Sequence, residues 1–151
     1  MSTPEAYPMP MFPMLAVSDV AASSRWYQEA LGFHHVFSMP GPGGAIGLVH
    51  LRFARYADVL MRAGASSPDK KGCGIALNFA VAENLDALAE RARAAGASFV
   101  QEPGDRPWNA RDFTVADPDG FALTFTMGPL KRDMRLEDVV AHAQKAGTPK
   151  T

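Results

Sequence analysis

The sequence is short of three things: cysteine, net charge and long apolar runs. Cys73 is the single cysteine among 151 residues, so it forms no internal disulfide and no thiolate cluster. It stands beside Lys70 and Lys71 with no histidine close in sequence, which argues against a catalytic thiol. A lone thiol fits a reducing compartment, and a cytoplasmic location is expected. The net charge of -1 lacks the basic excess of a nucleic-acid binder. No stretch approaches the roughly 18 consecutive apolar residues of a membrane span. The opening M-S-T-P-E-A-Y has neither the basic region nor the apolar core of a signal peptide. Nucleic acid and membrane are therefore not expected partners.

What is present is a 47% hydrophobic chain of single-domain length, able to bury about 70% of its extended surface. After a Pro- and Met-rich arm, Phe12–Val17 reads as a strand. Asp19 or Ser18 caps a helix over Val20–Leu31, which Gly32 ends. Strands follow over Phe33–Met39, Ile46–Phe53 and Tyr56–Arg62, with a Gly-Pro-Gly-Gly loop at 41–44. Gly64–Gly72 is a polar linker, and then the order restarts. Gly74–Ala82 is a strand, Asn84 caps a helix over Leu85–Ala95, Gly96 ends it, and Ser98–Gln101 is a short strand. A loop through Trp108 leads to a hairpin, Arg111–Ala116 and Phe121–Met127, turned by Asp117-Pro118-Asp119-Gly120. Asp133 is placed to cap a last amphipathic helix carrying Leu136, Val139, Val140 and Ala143, with Gly147 after it.

A shift of 64 residues lays Val17 on Val81, Asp19 on Glu83 and Gly32 on Gly96 without a gap. The strand–cap–helix–Gly order repeats, so the fold expected is α+β: two βαβββ modules forming a curved, partly open barrel around a cavity. The modules cover about 10–64 and 74–128 of one domain over 10–130, and 131–151 form a C-terminal helix and tail. Strand alternation puts Leu15, Val17, Leu77, Phe79, Val81, Leu123 and Phe125 on helix-packed faces. The opposite faces mix apolar and polar groups: Phe12, Met14, Leu48, His50, Leu60, Ala76, Asn78, Asp112, Thr114, Thr124 and Thr126. Arg52, Asp58 and Arg62 fall on that face too, either lining a cavity or pairing with one another at strand ends. His50 and Asp58 make either a base and its orienter or a packed, hydrogen-bonded pair.

Pro13–Phe33, with V-S-D at its centre, and Pro107–Phe121, with P-W and D-P-D-G, resemble the vicinal-oxygen-chelate superfamily of glyoxalase I, extradiol dioxygenases and bleomycin-resistance proteins. The first stretch and the Pro-Trp pair are most similar to the bleomycin-resistance branch. The resemblance spans about 10–128. Enzymes of that superfamily hold a divalent metal on His, Gln or Glu from the first and last strands of each module. Carried over by the two motifs and the repeat, those positions are Phe12, Leu60, Ala76 and Thr124. Three have no donor atom, and a lone Thr hydroxyl is a poor ligand. The resemblance thus implies no metal, no other cofactor and no catalytic residues. It implies a homodimeric binding protein for a small organic molecule such as an antibiotic. Phe12, Met14, Phe37 and Trp108 would give apolar contact, and His50, Asn78, Arg111 and Thr124 hydrogen bonds. Asn109 stands where the family often has Gly, which implies a stiffer loop. The alternative is a glyoxalase- or dioxygenase-like lyase or isomerase with an atypical metal site, or with metal-free chemistry at His50 and Asp58.

Overall fold

Helix α1 (Val20–Leu31) starts where the sequence says it should. Asp19 is extended and its carboxylate accepts the Ala22 amide, and Gly32 at φ 73° returns its N–H to Gln28 O. The computed structural model describes residues 4–64 and 74–147; the linker over 65–73, with Lys70, Lys71 and Cys73, lies outside the described residues. Around α1 run β1 (Met14–Val17), β2 (His34–Pro40), β3 (Ile46–Ala54) and β4 (Ala57–Ala63). The second module contains β5 (Ala76–Ala80), α2 (Leu85–Ala94), β6 (Ser98–Arg106), β7 (Ala110–Ala116) and β8 (Ala122–Met127), and α3 (Leu136–Gly147) follows.

The sheets have the orders β1-β4-β3-β2 and β5-β8-β7-β6, each with one parallel pair between its first two strands. The 64-residue repeat reappears as hydrogen-bond register. Met14 pairs with Leu60 as Asn78 pairs with Thr124. His50 faces Leu60 as Thr114 faces Thr124. Even a bulge is duplicated: the step from His35 to Phe37 recurs from Phe99 to Gln101. The fold is α+β, with two βαβββ modules in an open, curved arrangement.

Alternation then decides burial. Leu15, Val17, Val49, Leu51, Val59 and Met61 form the helix-side core of the first module, and Phe79, Phe113, Val115, Leu123 and Phe125 that of the second. The two cores are continuous. Phe33 and Phe53 lie 5.4 and 5.6 Å from Phe79, and Phe53 lies 5.2 Å from Phe125. Each fully buried ring of this kind contributes about 1.5–3 kcal/mol.

Polar contacts clasp α1 at both ends. At its C-terminus Arg91 of α2 donates to Glu29 O and Gln28 O, placing a cation where the helix carbonyls are unpaired. At its N-terminus Asp119 accepts the Ser18 amide and the Ser23 hydroxyl, and one turn further on Tyr27 donates to Asp117 at 2.8 Å. Asp117 also accepts the amides of Asp119 and Phe121 across its own turn. The two signature stretches are thus hydrogen-bonded to each other.

Several expectations need correction. β1 begins at Met14, so Phe12 lies before the strand. β6 continues to Arg106, because Gly104 pairs with Asp112 and Arg106 with Ala110; the expected loop is strand, braced by an Arg106–Asp112 ion pair at 2.7 Å. Asn84 does not cap α2 through its side chain; it supplies a left-handed residue at φ 59°, which Asn tolerates. Asp133 sits three residues before α3 and is not its cap, and α3 runs through Gly147.

Candidate functional site

The concave face of the first sheet carries the densest polar cluster. Asp58, with a fully buried side chain, accepts from His50 Nε2 at 2.7 Å, from Arg52 Nε at 2.7 Å and from the Tyr7 hydroxyl at 2.6 Å. Burial is the largest single influence on Asp58 and pushes its pKa up. The hydrogen bonds from Tyr7, His50 and Arg52, with the Arg52 charge, outweigh it and hold the carboxyl below its ordinary value. The N-terminal arm is tied to this cluster: Arg52 donates to Glu5 O and stacks on the Tyr7 ring at 4.2 Å, and Tyr7 accepts the Tyr56 amide. Tyr7 was not among the expected site residues. Its signal in the sequence is slight, a lone aromatic in an arm of Pro and Met. Arg52 and Asp58 do pair, as one of the two readings had it, while Arg62 is exposed and among the described residues donates to Ala63 O.

The same face of the second sheet is nearly uncharged. Thr114 and Thr124 share a hydrogen bond at 2.7 Å, and Asp112 is neutralised by Arg106. Beyond its edge lies a cavity of about 520 Å3, walled by Trp108, Asn109, Ala80, Thr126, Met134 and Val139. Trp108 is 49% exposed. Asn109 shapes this wall. It adopts φ 63°, and its side-chain amide exchanges two hydrogen bonds of 2.8 Å with the backbone of Lys131. That pairing holds the segment leading to α3 beside Trp108, so the tail forms part of the cavity wall.

The eight expected contact residues are not brought into one site. Phe37 and His50 share a second cavity of about 210 Å3 beneath the arm. Asn78 lines a third, of about 280 Å3, at the seam with Asp58 and Tyr56. Phe12 and Met14 are exposed, and Thr124 is turned to Thr114. Arg111 points elsewhere: it forks onto Asp86 of α2 and Asp105 of β6, because strand alternation puts it on the helix side. Hydrogen bonds and charge from those two carboxylates hold its guanidinium pKa above the ordinary value.

A profile of the glyoxalase/bleomycin resistance protein/dioxygenase superfamily matches residues 12–125. The chain belongs to that superfamily. An uncharacterized protein of Mycobacterium bovis is 27% identical over 89% of this chain and 92% of its own length. TioX from Micromonospora sp. ML1 is 27% identical with a TM-score of 0.62, covering 83% of this chain and 98% of that one. A glyoxalase-related enzyme from Clostridium phytofermentans, 18% identical, shares the fold with a TM-score of 0.65 over 84% and 99% of the two chains. The superfamily's divalent metal does not fit the residues found here. Phe12, Leu60 and Ala76 offer no donor atom, and the Thr124 hydroxyl is engaged by Thr114. Among the described residues no three His, Cys, Asp or Glu side chains are grouped to hold a metal ion. Nor is any helix among them long and apolar enough to cross a membrane.

Proposed function

We propose that the protein is a metal-free, homodimeric binder of a small aromatic or apolar organic molecule, an antibiotic or similar compound, of the bleomycin-resistance type. The observation that carries this reading is the half-exposed Trp108 on the wall of the 520 Å3 cavity. An indole face there adds about 0.5–1.5 kcal/mol of stacking to the burial of a planar ligand. The donor-poor metal positions remove the chelation chemistry on which the superfamily's enzymes rely. Exposed Met14, Phe37, Met39 and Ile46 on the first module support a second copy as their cover.

The test uses Trp26→Phe protein, in which Trp108 is the only indole. A panel of planar aromatic antibiotics is expected to quench its fluorescence saturably, and Trp108→Ala to lose binding. A panel that neither quenches nor raises the melting temperature would sink the reading. So would stoichiometric Ni, Zn, Fe or Mn in protein purified without chelator. Sedimentation at micromolar concentration should give a dimer.

A further inference from the structure

Beneath the N-terminal arm, the 210 Å3 cavity has its own chemistry. Its apolar walls are Pro4, Ala6, Met9, Val36 and Phe37, and its polar members are Glu5, Tyr7, His50 and Arg52. His50 is 4% exposed, and its ring stands edge-on to Phe37 at 5.2 Å. Its Nε2 is committed to Asp58, which is not part of this wall. Its Nδ1 is buried and has no hydrogen-bond partner among the described residues. An ionised carboxylate only accepts, so Nε2 carries the proton, and Nδ1 of the imidazole in that tautomer presents a lone pair. A buried polar atom without a partner costs free energy that a ligand's donor would recover.

We infer that this cavity is a second binding site, for a single-ring molecule bearing one O–H or N–H donor, with His50 Nδ1 as its acceptor. The volume supports one ring, since an apolar cavity of roughly 150 Å3 admits benzene. Asp58 and Arg52 are positioning residues: Asp58 fixes the tautomer, and Arg52 anchors the arm through Glu5 O. Because His50 Nδ1 is itself buried, contact with it requires a wall side chain to shift. The site lies in the other module from Trp108 and does not depend on that cavity's ligand.

Phenol and toluene are the probes, on the full chain labelled with 15N-histidine. Phenol is expected to shift the His50 Nδ1 resonance saturably and to bind about tenfold more tightly than toluene. In His50→Phe the preference should fall to about threefold or less. In Trp108→Ala the resonance shift should persist, which separates this inference from the binding reading above. Equal affinity for toluene, or an Nδ1 resonance unmoved at saturating phenol, overturns it. So does a shift that disappears in Trp108→Ala. If His50→Phe does not fold, the wild-type resonance and the phenol-to-toluene ratio decide.

Discussion

The two modules share one backbone and differ in what they do with the same places. Position by position at the 64-residue shift, His50 answers to Thr114, Arg52 to Ala116, Asp58 to Ala122 and Leu60 to Thr124. The first module builds a buried, charged cluster closed by an arm; the second has hydroxyls and methyls at the matching positions, with a separate Arg106–Asp112 ion pair, and opens onto the Trp108 cavity. Register and bulge were retained while the chemistry of the inner faces diverged. A sheet face can do this because its helix-side residues alone carry the shared core.

The largest effect expected from breaking the contrast is at Asp58. Asp58→Ala gives the first module the residue the second has at Ala122. It leaves Arg52 partly buried and His50 without its carboxylate, so a loss of about 3–5 kcal/mol is expected. Urea unfolding measures it. A cost below about 1 kcal/mol would mean that the cluster is no more than a surface ion pair.

The next contrast is between two buried aspartates. Tyr27→Phe deletes the hydroxyl that donates to Asp117 and should cost about 1–3 kcal/mol. Burial is the main influence that raises the Asp117 pKa, whereas its hydrogen-bond partners hold that of Asp58 down. The signs of their pH dependence are therefore opposite. Asp58 contributes stability above its ordinary value of 3.8, and this is lost as pH falls through its lowered pKa. Asp117 binds its proton more tightly when folded. Its contribution is complete below 3.8 and is lost as pH rises through its raised pKa. In unfolding curves taken from neutral to acid pH, the gap between wild type and Asp58→Asn should shrink, and that between wild type and Asp117→Asn should grow.

The fold was legible because its determinants are local. Asp19, Gly32, Gly96 and the D-P-D-G turn each state a cap or a turn within a few residues. The duplication repeats them at a fixed spacing. The signature aspartates were legible as a family mark but not as a clasp: nothing in the sequence says that Asp117 meets Tyr27, 90 residues earlier. The site was less legible for the same reason. Alternation placed His50 and Asp58 on one face, yet Tyr7 joins them from an arm without periodicity. Trp108 could be named, but not its neighbours, because Asn109 brings in a segment 22 residues away through side-chain hydrogen bonds. Arg111 was expected to give the ligand a hydrogen bond, yet its own strand parity turns it to Asp86.

The smallest effect, and the sharpest test of how the modules differ, lies in the threonine pair. Thr124→Val leaves Thr114 without its partner and should cost about 0.5–1.5 kcal/mol. Thr114→Val should cost a similar amount. The double variant replaces both hydroxyls with methyls of matching shape and should lie closer to wild type than the sum of the two single variants. No such rescue is available at Asp58, where removing the carboxylate leaves three polar or cationic partners, Tyr7, His50 and Arg52, in place. A double-mutant cycle by urea unfolding separates the cases. If the threonine losses simply add, the pair contributes nothing as a pair, and the second module's inner face is a neutral surface rather than a hydrogen-bonded counterpart of the first.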